Sequence, residues 1–323
     1  MSEYLWDRTG PADLDVAGLE RRLAPLRFNP DPAWKPKRRR SIPYGAIAAA
    51  LLVAAAGVRL SVPAPPASNW AVTDVNGRVN LGRRSASISE RLRAGQSIVT
   101  GDDSRVTIEN DDFGQVDLDS RSRLKLVGSK AGRETMSLER GRLHAYIWAP
   151  PRKFIVDTPS SRTIDLGCEY NLTIDEAGNG LVSVELGWVA FQFGGQESFI
   201  PEGADCRTHA RRGPGIPYYR DATPEFIAAL REYDDSQDAA ALDRLLNSAR
   251  AKDALSLWHL LGRAASRDRE PVFDRFLQLV PVQVDRAKAL ARDPQTLDKC
   301  WNALGLDDAE WWREWKRDWR PQR

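Results

Sequence analysis

Hydrophobic patterning divides the chain into three kinds of segment. Apolar residues alternate with polar ones over residues 70–210, recur every three or four positions over residues 221–323, and run without interruption over residues 42–58. Alternation is typical of half-buried strands, and the three-to-four spacing is typical of amphipathic helices. The sequence therefore predicts a multi-domain protein with an all-β domain, an all-α domain and one long apolar helix.

The alternating region is divided by glycine-containing turns into many short runs, such as Tyr170, Leu172 and Ile174. Many short strands at close spacing predict a β-sandwich or a short β-solenoid. Residues 138–143 and 184–189 each place a glycine between two apolar runs, and we expect a tight bend or bulge at both positions.

The helical region, residues 221–323, begins at a good N-terminal cap, Thr223-Pro224-Glu225. Short breaks between its apolar stripes predict antiparallel helix pairs, like the units of a HEAT-like helical repeat. A last helix would place Trp312, Trp315 and Trp319 on one face. That face is either the core of a small helical domain or a surface for a partner.

The uninterrupted run is long enough to cross a bilayer. Its roughly 17 residues span about 26 Å as a helix, and five basic residues precede it within 35–40. Because such residues concentrate on the cytoplasmic side, we predict a transmembrane helix at 41–62 with the N-terminus inside the cell. A proline-rich linker follows at 63–69. A buried helix of a soluble domain and a cleaved signal peptide are the alternatives.

The cytoplasmic tail, residues 1–40, is too short to bury a core of its own. Val16, Leu19 and Leu23 form one face of a short helix that Pro25 should end, and Leu5 and Trp6 add apolar surface. We interpret these five residues as a docking surface for a cytoplasmic partner. A helix lying on the membrane surface and a disordered tail remain alternatives.

Composition narrows the chemistry. A net charge of only +2 argues against a nucleic-acid-binding protein, and the three histidines show no metal-ligand spacing. Ser122 and Lys125 fit S-x-x-K, but they lie in a predicted strand and lack the partner motifs. We therefore predict no catalytic residue, no metal, no cofactor and no enzymatic activity.

Cys168 and Cys206 lie in the β domain, which we predict to be in an oxidising compartment. We expect a disulfide between them, and two buried free thiols are the alternative.

Eight short stretches in one order carry a family resemblance. They lie at residues 72–82, 92–100, 104–106, 118–124, 138–143, 154–159, 165–170 and 184–189. Together they resemble the FecR family, membrane-spanning anti-sigma regulators of bacterial iron uptake, over about residues 70–208. The resemblance implies a periplasmic β domain behind a single N-in helix. Iron-transport members have a longer cytoplasmic domain and a C-terminal α/β module, whose places are taken here by a short tail and a Trp-rich helical domain.

These patterns lead to one functional hypothesis and one alternative. We expect a single-pass protein of the bacterial inner membrane, mostly periplasmic, that senses outside and controls an extracytoplasmic-function sigma factor through its tail. Its outer domains would contact a periplasmic or outer-membrane protein. The alternative is a membrane-anchored periplasmic scaffold or adaptor without a sigma-factor partner.

Overall fold

A computed structural model describes residues 14–26, 67–130 and 132–306. The chain forms two compact units, Met1–Ala64 and Pro65–Arg323. None of the helices in these described ranges is long and apolar enough to cross a membrane. The predicted span at 41–62 lies outside the described residues.

The described part of the first unit is one helix, α1 (Leu14–Leu23), followed by a 3-10 turn, Ala24–Leu26. Asp15 lies in the first turn, and Arg21 and Arg22 lie in the last. This charge order matches the helix dipole, whose N-terminal end favours acidic and C-terminal end favours basic side chains. The helix at this position and its end before Pro25 agree with the prediction.

The second unit begins with short strands that form two sheets. They are β1 (Ala67–Asn76), β2 (Val79–Leu81), β3 (Arg84–Ser85), β4 (Arg91–Arg93), β5 (Ser97–Thr100), β6 (Arg105–Asn110), β7 (Gly114–Leu118), β8 (Arg123–Lys130), β9 (Arg133–Ile147), β10 (Phe154–Asp157), β11 (Arg162–Asp165), β12 (Glu169–Ile174), β13 (Gly180–Leu186), β14 (Trp188–Phe193), β15 (Gln196–Pro201), β16 (Ala204–His209), β17 (Gly213–Pro214) and β18 (Tyr218–Tyr219).

The first sheet has the order β4-β1-β6-β7-β9-β12-β13-β16, with β17 and β18 beside β16. The second has the order β3-β2-β5-β8-β9-β10-β11-β14-β15. Strands β9 and β10 pair in parallel, and the other pairings of the described strands are antiparallel. The predicted all-β domain is thus confirmed, as two mainly antiparallel sheets that share β9.

Strand β9 belongs to both sheets and bends at a glycine. Its first half pairs with β8 and β10, and its second half, from Gly141 onward, pairs with β7 and β12. Gly141 has a φ of 98°, and a Cβ there would lie 2.1 Å from Ser122 Oγ of the chain crossing beside it. Only glycine fits this close approach. The bend predicted at this position is confirmed.

A second corner joins the sheets where β11 continues into β12 and β13 into β14. Gly187 lies between β13 and β14 with a φ of 75°, and a Cβ on it would lie 2.2 Å from the carbonyl oxygen of Gly167. The two crossing chains therefore touch backbone to backbone, and the bend predicted at residues 184–189 is also confirmed.

The core lies between the sheets, and strand alternation fills it. One row of fully buried side chains runs across neighbouring strands of the first sheet: Val106, Leu118, Leu143, Leu172, Val182 and Cys206. Burying each of the larger apolar side chains stabilises the fold by about 1.5–3 kcal/mol. The need to keep this row buried sets the register of the five strand pairings that it crosses, because a slip of one residue would expose the row to solvent.

The described helices of the second unit are α2 (Pro224–Ser236), α3 (Ala239–Ser248), α4 (Ala254–Arg263), α5 (Ser266–Leu279), α6 (Arg286–Leu290) and α7 (Pro294–Ala303). The predicted cap of α2 is confirmed, because the side chain of Thr223 accepts the N–H of Phe226 at 3.2 Å. Helices and sheets share one hydrophobic core. Several helices thus follow the β domain as expected, but their differing lengths do not establish the HEAT-like repeat.

The stretch between the strands and the helices, residues 211–219, has the Gly- and Pro-rich composition of a linker, yet most of it is buried. Residues 213–219 are buried and include β17 and β18. Ile216, Tyr218 and Tyr219 pack into the common core. Because apolar and aromatic side chains gain free energy on burial, this segment packs as an extra layer.

Candidate functional site

The apolar face predicted on the tail helix is exposed in the first unit. Leu19 and Leu23 are 61% and 50% exposed, Val16 is half-buried, and α1 contains no buried residue. Leu26, in the turn that follows, continues the same face and is 78% exposed. An amphipathic helix with an exposed leucine stripe is suited to a hydrophobic groove on a partner. The two other predicted docking residues, Leu5 and Trp6, lie outside the described residues.

The Trp-rich C-terminus is described only up to Leu306. Trp312, Trp315 and Trp319 therefore lie outside the described residues. Trp301, in α7, is 3% exposed and lies 4.8 Å from the ring of Trp258, 5.9 Å from that of Trp188 and 6.0 Å from that of Phe199. These tilted and edge-on contacts join α4 and α7 to strands β14 and β15.

Helix α4 covers the edge of the second sheet at β15. His259 Nε2 accepts the backbone N–H of Phe199 at 3.0 Å, while Nδ1 donates to the carbonyl of Leu255 at 3.0 Å. This pattern requires the neutral imidazole with its proton on Nδ1. An outward-facing amide of the edge strand is thus satisfied by a helix side chain, which closes an edge open to pairing with another chain.

Arg263, one helical turn after His259, satisfies the neighbouring acceptors. Its Nη1 donates to the carbonyls of Pro214 and Gly215 at 2.8 and 2.9 Å, and its Nη2 donates to the Glu197 carbonyl and to Ser198 Oγ, the latter at 2.6 Å. Burial lowers the pKa of this guanidinium. One cation therefore joins β15, the β17 segment and α4, so that a movement of the helices would also displace the sheet edge.

Sequence reasoning missed this junction, although a signal was present. Ser256, His259 and Arg263 are polar residues on one side of an otherwise apolar helix, and Ser256 Oγ donates to the Pro217 carbonyl at 2.7 Å. Polar residues at helical spacing inside an apolar stripe indicate buried partners, since unpaired polar groups are costly to bury.

The disulfide predicted between Cys168 and Cys206 is not formed; both are buried free thiols. Cys206 pairs with Val182, which pairs with Leu172, and Cys168 precedes Leu172 by four residues. The two cysteines are therefore about 10 Å apart across the strands and about 13 Å along them. A bridge requires Cα atoms within about 7 Å, so the register of β12, β13 and β16 excludes it.

Cys168 instead belongs to a buried polar cluster at the second corner. Its Sγ donates to Asp165 Oδ2 at 2.5 Å, and Asp165 Oδ1 accepts the N–H of Gly167 at 2.8 Å. Burial raises the pKa of Asp165 to about 7 and that of Cys168 well above its usual value. The hydroxyl of Tyr170 is buried nearby and has no hydrogen-bond partner among the residues that the structure describes. Asp165 thus holds the turn between β11 and β12. Both Asp165 and Cys168 keep their protons to a higher pH than the same groups do when exposed.

The outer face of the first sheet carries a polar group around His144. Its Nδ1 lies 3.4 Å from Asp117 Oδ2, and its Nε2 lies 3.0 Å from Glu169 Oε1. The hydrogen bond to Asp117, with support from Glu169, raises the pKa of His144. These strands thus gain cross-strand hydrogen bonds, and His144 has two carboxylate neighbours rather than a metal-ligand set. Within the described ranges no group of His, Cys, Asp or Glu could hold a metal ion.

Ser122, the serine of the S-x-x-K match, has a structural role in the first corner. It is buried, and its Oγ accepts the N–H of Arg142 at 2.9 Å and contacts the Arg142 and Ser120 carbonyls at 3.2 and 3.3 Å. Its hydroxyl therefore ties β9 to the chain crossing beside it.

Comparison with known proteins gives one family match. Residues 96–190, from β5 to β14, match the model of the family described as FecR protein. No curated protein matches the chain. Two crystal structures of a candidate anti-sigma factor from Parabacteroides distasonis, at 1.65 and 2.50 Å resolution, are 17% identical to it with a TM-score of 0.34. They cover 47% and 46% of this chain, and the matches span 74% and 73% of those chains.

Proposed function

We propose that this protein is a single-pass inner-membrane regulator of the anti-sigma type. Its tail would bind an extracytoplasmic-function sigma factor, and the β and helical domains would lie in the periplasm and sense a protein partner. The observation that carries the proposal is the FecR match over residues 96–190. The remaining steps rest on the tail helix, on the apolar run at 42–58 and on the junction between sheets and helices.

The tail supplies a surface of suitable size and chemistry for a protein groove. Leu19 and Leu23 lie one turn apart on α1, and Leu26 extends the stripe. Such a stripe gains free energy only when a partner covers it. The apolar run and the basic residues before it support placing this helix in the cytoplasm.

The second unit supplies a body that could transmit a signal as a whole. Arg263 and His259 join the helices to the edge of the second sheet, and one core spans both. A partner bound to the helices would therefore act on the β domain as well. Regulation also requires that the partner bind two states of the protein with different affinity.

The tail is tested by capturing the tagged full-length protein from its native cell with bound proteins identified by mass spectrometry. Leu19→Asp should abolish recovery of a sigma factor, because it places a charge in the apolar face. Leu14→Asp is the matched control: it makes the same change at an exposed leucine about 140° away around the helix. Circular dichroism of the variants checks that α1 is kept.

Three outcomes decide between the hypotheses. A sigma factor recovered with the unaltered protein and Leu14→Asp, but not with Leu19→Asp, supports the anti-sigma role. Equal recovery with both variants contradicts the assigned face. Recovery of no sigma factor at all favours the scaffold or adaptor. Alkaline phosphatase fused after residue 30 and after residue 70 tests the topology, and only the second fusion should be active.

A further inference from the structure

The edge of the β domain that lies away from the helices is rich in arginine. We call residues 82–95, which include β3 and β4, the arginine edge. β3 pairs with β2 alone and β4 with β1 alone among the described strands, so this segment ends both sheets. It contains four exposed arginines and one acidic residue, Glu90. The arginines are Arg83, Arg84, Arg91 and Arg93. Leu92, buried between two of them, anchors the segment in the core.

Three of the four arginines of this edge are not neutralised by the part of the protein that the structure describes. Within the described residues no ion pair involves Arg83, Arg84 or Arg91, and Arg91 donates only to the side-chain oxygen of Asn69 at 3.4 Å. The carboxylate of Glu90 is half-buried and accepts the N–H of Ser87 at 3.3 Å. The edge therefore presents a net positive surface to its surroundings.

Protection against edge-to-edge aggregation accounts for only part of this pattern. Charged side chains on edge strands do prevent pairing with other chains. That purpose is served by charges of either sign and gains nothing from an exposed apolar side chain. Ile88, at the tip between β3 and β4, is nevertheless 63% exposed among the arginines. Cations around an exposed apolar residue are typical of surfaces that bind a membrane interface.

We propose that the arginine edge binds an anionic phospholipid surface. The guanidinium groups would hydrogen-bond lipid phosphates, a geometry for which arginine is well suited, and Ile88 would enter the boundary between headgroups and acyl chains. Charge complementarity identifies the ligand. The positively charged arginines would face lipid phosphates, and the apolar Ile88 would face the lipid interior.

The position of the edge in the chain agrees with this assignment. Ala67, the first described residue of the second unit, pairs directly with Arg93, and Ser68 Oγ donates to the Leu92 carbonyl at 3.0 Å. If residues 41–62 cross the membrane, five residue steps, at most about 17 Å, separate that span from Ala67. The inference takes only this anchor from the proposed function and does not depend on a sigma factor.

The test uses the compact unit Pro65–Arg323, which has its own core and lacks the predicted span. Binding is measured by cosedimentation with vesicles of phosphatidylglycerol and of phosphatidylcholine. The unit should bind only the anionic vesicles, and high salt should weaken binding. Each arginine near such a surface contributes about fivefold, so Arg83→Gln with Arg84→Gln should weaken binding about 25-fold. Ile88→Ser should weaken it severalfold.

The matched control is Arg207→Gln with Arg211→Gln. Both arginines are exposed, take part in no ion pair among the described residues, and lie at the opposite end of the first sheet in and after β16. This pair removes the same net charge and should leave binding nearly unchanged. All the variants should melt like the unaltered unit, since exposed positions change stability little.

The remaining outcomes each overturn the proposal. Equal binding to both vesicle types, or equal loss in the two double variants, would show that the edge is not a lipid-binding surface. If inorganic phosphate releases the bound unit from the vesicles as effectively as added phosphatidylglycerol vesicles do, the arginines bind a free anion rather than a lipid surface. These results are independent of the sigma-factor capture, so either proposal can fail alone.

Discussion

Replacing Arg263 by methionine should destabilise the junction between sheets and helices. Methionine keeps an unbranched apolar chain but removes every donor. Gly215 would retain a donor, because Ser198 Oγ also donates to its carbonyl at 2.7 Å. The Glu197 carbonyl points out of the sheet edge toward α4, in the same direction as the Phe199 amide two residues on. It would therefore lose the donor that Arg263 supplies, and the Pro214 carbonyl would lose its charged donor.

The expected cost follows from these acceptors. Leaving a buried acceptor unpaired costs about 1–3 kcal/mol, and removing a buried guanidinium recovers part of its desolvation cost. We expect a net loss of about 3 kcal/mol in the free energy of unfolding, which lowers the melting temperature of a unit of this size by about 6–12 °C. The melting temperature of Arg263→Lys should lie between those of the unaltered unit and Arg263→Met, because an ammonium keeps the charge but cannot span all four acceptors.

The assay is thermal unfolding of the unit followed by circular dichroism, together with hydrogen exchange of the Phe199 amide. Arg267→Met is the control: Arg267 is on α5, its side chain is 71% exposed and its ion pair with Asp268 spans 3.4 Å. Such a pair contributes little, so this change should stay within about 0.5 kcal/mol. The reasoning is refuted if Arg263→Met lowers the melting temperature no more than Arg267→Met, or if exchange at Phe199 is unaltered.

Three further predictions concern the corners and the cysteines. Gly187→Ala should cost more than about 3 kcal/mol, because its Cβ would strike a carbonyl at 2.2 Å, whereas Gly194→Ala, also at positive φ but in open space, should cost about 1 kcal/mol; denaturant unfolding compares them. Because the folded pKa of Asp165 is raised to about 7, the stability that its protonated form provides should be lost as pH rises from about 4 to 7. Asp165→Asn should flatten that dependence. Equal slopes of melting temperature against pH for the unaltered unit and for Asp165→Asn would contradict this prediction. Cys168 and Cys206 should both be alkylated in denaturant without reductant, and a mass showing two unmodified, bridged cysteines would disprove the register argument.

Much of the β domain could be predicted because its signal is local. Period-two alternation follows from strand geometry alone, so the strands around Leu172 and Val182 are visible without a structure. Gly141 and Gly187 were identified as bends because a glycine between two apolar runs serves no packing purpose in a straight strand. The start of α2 at Thr223 and the end of α1 before Pro25 are likewise local, since caps and prolines act within one turn.

The errors and omissions concern contacts between distant segments. Two cysteines separated by 38 positions look suitable for a bridge, but which strands lie between them is set by the pairing order, which alternation does not specify. The connection at residues 211–219 has the composition of a linker, yet its aromatic residues are buried because the helices fold back over the sheet edge.

The sequence by itself determined the elements: strands from alternation, helices from three-to-four spacing and caps, and corners from glycine. Each depends on residues within a few positions of one another. Only the tertiary structure decided which strands adjoin, that Cys168 and Cys206 stay apart, and that His259 and Arg263 close the edge of β15. These outcomes depend on contacts between residues up to 66 positions apart. Their partners are chosen by the burial and hydrogen bonding of the whole unit, which no local pattern encodes.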